Sequence, residues 1–259
     1  MEGVVQFKIY NISDFRTILN DYRKRKIIYN NFYDYSENSE IEAYCGDNTI
    51  LIRKPDNDFY RCYITSSDHQ ETVRVLKKLR FEHAINIPSK SSIDNWNKIL
   101  DESGYTCIGI YERMYYKDVK KRTSRSTQFA ERSHLNDIYN SLYSTFNKIV
   151  DHLPTIGDIK KMIDNQQIVI SQNNSVQKGF LIFTIKDKKC YLNAWLDKSG
   201  EGLLLLLDIF NIMILRGINY AYFWVNSENT EVKKIHHLLG ARFDGLKDYT
   251  FIKTKQHEE

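Results

Sequence analysis

Apolar residues in the second half of the chain recur first with a helical period. Leu135, Ile138, Leu142 and Phe146 form one stripe and predict a helix over residues 135–150. Pro154 breaks it, and residues 155–163 predict a second helix with Thr155 as its N-cap. Residues 168–171, 179–186 and 190–196 then read as strands, separated by the polar runs QNNSVQ and KDKK, and the last two predict a hairpin. Residues 203–215 are apolar almost throughout and predict a helix buried on most of its surface. It stops at Arg216 and Gly217, a basic last turn and a C-cap glycine. A buried strand at 220–225, a helix at 230–239 ending at Gly240, and a strand at 249–253 complete the half. Strands followed by helices in this order predict an α/β architecture, a mixed sheet covered by helices on both faces.

The first half repeats part of this grammar. Residues 50–53 and 59–65 predict strands, 71–79 a helix with Val73, Val75, Leu76 and Leu79 apolar, 84–87 a strand, 93–100 a helix and 107–116 a strand. The two tails align by eye: WNKILDESGYTCIGIYERMYYK against VKKIHHLLGARFDGLKDYTFIK. Each has a helix, a glycine and then strand-forming residues at like spacing, so the sequence predicts an internal duplication of one fold. Between the halves, the aromatic strand YERMYYK gives way to VKKRTSRSTQ, polar and without apolar periodicity. That places an interdomain boundary near residue 122, with domains at 1–122 and 123–259.

Composition narrows the class. The 259 residues are 42% hydrophobic and 27% charged, too apolar for a disordered chain and too broken by charge for a membrane protein. The most apolar run, 203–215, contains Asp208 and Asn211 and is shorter than the roughly 20 residues a span requires. The N-terminal apolar run is too short for a signal peptide and meets Lys8 and Asp14 early. Cys45, Cys62, Cys107 and Cys190 lie far apart with no CxxC pair, which predicts free thiols, a cytoplasmic protein, and neither a disulfide framework nor a zinc site. The net charge is only +4, and the basic cluster at 117–125 reads as a solvated linker, so neither a nucleic acid nor a membrane is an expected partner.

Two stretches carry candidate chemistry. Asp197-Lys198-Ser199-Gly200-Glu201-Gly202 lies between a predicted strand and the long apolar helix. Glycines there would let backbone amides converge beside the positive end of a helix dipole, which suits a phosphate or pyrophosphate. The same turn also reads as ordinary connection chemistry. The second stretch opens at Asn229, in an N-cap position, and places Val232, Ile235 and Leu239 on a core-facing stripe with His236 at its edge.

Together the two stretches resemble the GNAT superfamily of acetyl-CoA-dependent N-acyltransferases. DKSGEG resembles that family's Gln/Arg-x-x-Gly-x-Gly/Ala motif, with Gly200 and Gly202 in the small-residue slots. Asn229, Leu239 and Gly240 fall in register with its second motif. The resemblance covers about residues 123–255, and residues 1–117 look like a second, degenerate copy. It implies two tandem GNAT-like domains, with acetyl-CoA as co-substrate in the V where the fourth and fifth strands splay. The implied contacts are Trp195, Leu196, Lys198, Ser199, Gly200, Glu201, Gly202, Leu203 and Asn229, with the pyrophosphate on amides of residues 198–203 and the thioester near Leu196. Trp224 ends the second splayed strand.

The implied reaction is direct attack of a small-molecule or peptide amine on the thioester. The family's acid, a Tyr, is replaced here by His236, with Tyr249 as a fallback. Asp151 and His152 lie in the loop between two helices where such enzymes hold their acceptors, and no general base stands out. Asp197 departs from the motif's Gln or Arg, and the corresponding turn of the first copy, Ser66-Ser67-Asp68-His69-Gln70, has no glycine. Two other readings stay open. One is a degenerate module that binds CoA without turnover. The other is an aminoacyl transferase of the FemAB kind, which would require a basic groove for tRNA.

Overall fold

The computed structural model describes residues 5–31, 39–120, 127–171, 178–198, 200 and 202–253. In chain order the first elements are β1 (Lys8–Asn11), α1 (Ile12–Arg23), β2 (Tyr29–Asn30), β3 (Glu40–Cys45), β4 (Thr49–Asp56), β5 (Phe59–Ser66), α2 (His69–Lys77), β6 (His83–Ser89), α3 (Asp94–Glu102) and β7 (Tyr105–Lys117). There follow β8 (Gln128–Phe129), a 3₁₀ turn (Arg132–His134), α4 (Leu135–Thr145), α5 (Ile156–Asp164), β9 (Ile168–Ile170), β10 (Gly179–Lys186), β11 (Lys189–Asp197), α6 (Gly202–Leu215), β12 (Tyr220–Asn226), α7 (Thr230–Leu238) and β13 (Arg242–Lys253).

These elements group into two compact units. One comprises the chain up to Ile110 together with Leu246 onward, and the other comprises Tyr111–Gly245. The division therefore does not fall at the boundary near residue 122 that composition suggested. Backbone pairing sets it instead. Residues 111–117 of β7 pair antiparallel with β12, from Tyr111↔Asn226 to Lys117↔Tyr220, so they belong to the second unit. Residues 247–252 of β13 pair with β6 and complete the sheet of the first unit. The polar run taken for a linker follows β7, and residues 121–126 of it lie outside the described residues.

In the first unit the strand order is β1-β3-β4-β5-β6-β13, with β2 paired to β5. The β5–β6 pairing is parallel, and those of β3–β4, β4–β5 and β6–β13 are antiparallel. One face of this sheet meets α2 and α3 through Cys62, Ile64, Ile85, Ile87, Val73, Leu76, Ile99 and Leu100. The other meets α1 through Phe15, Leu19, Ile41, Ala43 and Ile50. The predicted elements do not include α1, although its signals are present. Asn11 caps it by accepting from the Asp14 amide at 2.9 Å, and Phe15, Leu19 and Tyr22 recur at i, i+4, i+7.

The order in the second unit is β7-β12-β11-β10-β9-β8, with β11–β12 parallel. α6 and α7 cover one face, where Met114, Cys190, Leu192, Leu205, Ile209, Met213 and Phe223 are buried. α4 and α5 cover part of the other, where Ile138, Leu142, Ile159, Phe180, Ile182 and Leu196 are buried. Several sequence signals act as expected. Thr155 forms a capping box with Asp158. Gly217, at φ +68°, lets the chain turn so that the Ile218 amide reaches the Met213 carbonyl at 2.8 Å and closes α6. All four cysteines are free, and no helix of the described residues is long and apolar enough to cross a membrane.

Candidate functional site

The second unit's sheet opens at its centre. β11 and β12 pair through four residues, Lys189↔Tyr220 to Leu192↔Phe223, and then part. On its other side β11 stays paired with β10, but the register shifts between Ile182, opposite Ala194, and Phe183, opposite Leu192. Asn193 is thus an extra residue, a β-bulge, which bends the strand and resets its alternation. Cys190, Leu192 and Trp195 consequently face α6 and α7, whereas Ala194 and Leu196 face α4 and α5. Backbone groups along the inner edges of the two diverging strands form a V, and among the described residues no further strand pairs into it.

Beyond β11 the glycine loop enters α6. Lys198 and Gly200 are exposed and Gly200 has φ +76°, while Ser199 and Glu201 lie outside the described residues. Gly202 is buried, and a Cβ built on it would fall 2.7 Å from Asp197 Oδ2 and 2.7 Å from Trp195 Cζ2. Gly202→Ala is therefore expected to destabilise the protein by about 1–3 kcal/mol through forced overlap. Urea unfolding reads this directly, and a wild-type midpoint would contradict it. The Gly202 amide donates to Asp197 Oδ2 at 2.9 Å. The sequence suggested that these amides await a pyrophosphate. One of them already has an anion, the carboxylate of Asp197, seated at the positive end of the helix dipole. Leu203 is 45% exposed beside it.

Spacing alone predicts His236 at the edge of a helix face, and the structure puts it inside. Only 3% of it is exposed. Its Nδ1 lies 2.6 Å from the Tyr116 hydroxyl, its ring lies 4.1 Å from that of Phe223, and Trp195 meets it edge-on at 5.2 Å. Burial lowers its pKa to about 4, with His237 adding to the shift, so the ring is neutral at pH 7. A neutral, enclosed imidazole is poorly suited to protonate a departing thiolate. Spacing along α7 could not reveal this, because Tyr116, which covers the ring, comes from another strand. Tyr249, the fallback acid, belongs to the first unit, where it pairs with Ile87 and packs against that unit's core. Asn229 is exposed and acts as a cap, accepting from the Val232 amide at 3.1 Å.

Trp195 and Leu196 lie on the splayed part of β11. Leu196 is buried opposite Phe180, and the Trp195 indole N–H is buried with no hydrogen-bond partner among the described residues. Trp224 is half-buried on β12, with the Arg113 guanidinium 5.9 Å from its ring centre.

A group that sequence reasoning left unassembled surrounds Asp151. α4 ends at Thr145 rather than at 150, because Phe146 is already extended. The turn that follows brings the Asn147 amide to Asp151 Oδ2 at 2.8 Å, and the Tyr111 hydroxyl donates to Oδ1. Burial raises the Asp151 pKa, opposed by these two hydrogen bonds. Tyr111 pairs directly with Asn226, the last residue of β12, whose side chain also reaches its hydroxyl. Beside them on the same face, Tyr191 stacks on Tyr222 at 5.0 Å and Tyr115 on Tyr220 at 5.8 Å. His152 follows with φ +50°. The loop position of Asp151 was visible in the sequence, but its link to a strand forty residues earlier was not.

No family model and no curated protein matches the sequence. Solved structures do match the fold. The chain is similar to a GNAT-family acetyltransferase from Colwellia psychrerythraea, with TM-score 0.54, 9% identity, 96% of this chain and 100% of that one covered. It is similar also to a Drosophila protein, with TM-score 0.57, 10% identity and 96% and 99% covered. A third match is the GCN5-related glucosamine N-acetyltransferase region of a fungal multi-domain GH3 β-N-acetylglucosaminidase, with TM-score 0.61, 8% identity, 97% of this chain and 38% of that chain covered. The chain has the GNAT fold, a mixed sheet flanked by helices.

Proposed function

We propose that the protein is an N-acyltransferase that takes an acetyl group from acetyl-CoA in the V of the second unit and passes it directly to an amine. The observation that supports this most is the parting of two parallel strands after Leu192↔Phe223, next to a glycine-bearing helix start. An extended, amide-rich donor arm suits such an opening, because the diverging backbones offer donors and acceptors that a strand-like ligand can pair. Trp195, on the splayed stretch of β11, adds an indole N–H with no partner among the described residues. Amides of Lys198, Gly200, Gly202 and Leu203 would face the pyrophosphate, with Asp197 as a competing anion.

The amine comes to the face carrying Asp151. An ammonium acceptor passes one proton to the Asp151 carboxylate, and its freed lone pair forms the C–N bond to the thioester carbonyl. The C–S bond breaks, and the remaining excess proton on nitrogen goes to the leaving thiolate. Products are the amide, CoA thiol and one proton, which Asp151 releases to solvent. Burial of Asp151 raises its proton affinity toward the range useful for this transfer. The half-exposed tyrosines beside it offer ring faces to a cation.

Thiol release from acetyl-CoA across a panel of primary amines, including glucosamine, tests this reading. Asp151→Asn is expected to lower kcat by about 100-fold or more with acetyl-CoA affinity unchanged. A variant with wild-type turnover would remove Asp151 from the mechanism. The second reading, a module that holds a ligand without turning it over, draws on Asp197 at the helix start and on the burial of His236. Donor binding without thiol release for any amine would favour it.

A further inference from the structure

The first unit also contains two parallel strands that part, and there the chain itself fills the opening. β5 and β6 pair from Tyr60↔His83 to Cys62↔Ile85 and then diverge. β2 lies antiparallel along the freed stretch of β5, with Tyr29 opposite Ser66 and Asn30 opposite Thr65, and the Ile28 amide donates to the Ser66 carbonyl at 2.8 Å. Asn31 comes next and is 4% exposed. Its side-chain amide donates to the Cys62 carbonyl on β5 at 3.1 Å and to the Asn86 carbonyl on β6 at 3.0 Å, and its Oδ1 accepts from the Ile64 amide at 2.5 Å. One carboxamide thereby bridges both diverging strands and satisfies backbone groups that the divergence strips of partners. Tyr29 anchors the segment, buried in the core with its hydroxyl 2.7 Å from His69 Nδ1 and its ring edge-on to Trp96 at 5.2 Å.

We propose that residues 28–31 are a built-in occupant of the first unit's V, with the Asn31 carboxamide in the place of a ligand amide. The first unit is closed to acyl donors by its own backbone, and the chain takes up one donor rather than two; the count of one rests on the reading of the second unit given above. Two features argue for a ligand's place over simple core packing. The bonded group is an amide that both donates and accepts, on two parallel strands that part as β11 and β12 do in the second unit, where no strand among the described residues pairs into the opening. The segment also runs along β5 as an added strand, the mode by which extended ligands join a sheet.

The test has two arms. Calorimetric titration of the full chain with acetyl-CoA should give a stoichiometry of one, and a stoichiometry of two overturns the proposal. Zero would overturn the donor reading of the second unit, leaving the Asn31 assignment to the second arm. In that arm, Asn31→Gly removes three hydrogen bonds and should lower the thermal midpoint by roughly 5 °C or more. Millimolar D-pantetheine, which carries two amides on an extended arm, should raise the midpoint of Asn31→Gly saturably and by more than it raises that of wild type, where it can enter only the second unit's V; that excess is the rescue. Absence of rescue in Asn31→Gly, and in the milder Asn31→Ser should the glycine variant fail to fold, overturns the assignment and makes Asn31 a packing residue.

Discussion

Asp197→Asn is expected to tighten acetyl-CoA binding by about tenfold at low salt, an effect opposite in sign to the usual loss on mutating a loop residue. In the structure the Asp197 carboxylate receives the Gly202 amide at 2.9 Å, at the start of α6. A pyrophosphate approaching the same amides would meet a fixed negative charge, and like charges about 4 Å apart repel by roughly 1–4 kcal/mol at effective dielectrics between bulk water and a protein surface. About 1.4 kcal/mol, the low end of that range, is already a factor of ten in affinity. Asparagine keeps an oxygen to accept from Gly202 and removes the charge, so that hydrogen bond survives while the repulsion goes. The gain should shrink as salt is raised, because Asp197, Lys198 and Gly200 are exposed and screening acts there. Equal or weaker affinity in the variant would mean that the donor's phosphates do not lie on this helix start.

A fall in pH from 7 to 4 is expected to cost about 3 kcal/mol of stability at each of two buried histidines, one in each unit. His83 and His236 both have pKa values lowered to about 4, chiefly by burial. Each imidazole is bonded to a tyrosine hydroxyl, His83 to Tyr105 and His236 to Tyr116 at 2.6 Å. Unfolded, such a ring titrates near 6.5. Between pH 6.5 and 4 the unfolded chain therefore binds a proton that the folded chain refuses, and stability drops by about 1.4 kcal/mol per pH unit for each histidine. Below about 4 both states are protonated and this loss levels off. The paired replacement Tyr116→Phe/His236→Phe removes donor and acceptor together, so no buried hydroxyl is orphaned. Urea midpoints of that variant should lose one histidine's share of the acid slope, and Tyr105→Phe/His83→Phe the other share. An unchanged slope would mean that the rings take up protons in the folded state. The same Tyr116/His236 variant separates packing from catalysis: with His236 a core residue, turnover per folded molecule stays near wild type.

Much of the second unit was legible in the sequence because its signals are local. The helix predicted over 203–215 forms as Gly202–Leu215, Thr155 and Gly217 cap as their types demand, and the strand–loop–helix–strand order around the glycines is present. What escaped depends on partners distant in the chain. YERMYYK and YTFIK read as strands, the second shorter than the observed Arg242–Lys253, yet nothing in either says which sheet it joins. A helical stripe puts His236 at an edge until Tyr116 and Trp195 close over it. Asp197 reads as a departure from a motif, whereas the direction of its carboxylate follows from the turn that points it back at Gly202. Asn31 carries no periodic signal at all. Its role arises only because β5 and β6 part where they do.

Calorimetric titration of the purified protein with acetyl-CoA, with free CoA and ATP as controls, bears most directly on the reading of the second unit's V as a donor site. Saturable binding of one equivalent, tighter for acetyl-CoA than for free CoA and absent for ATP, is the predicted result. No heat from acetyl-CoA, in the wild type and in Asp197→Asn alike, would contradict it.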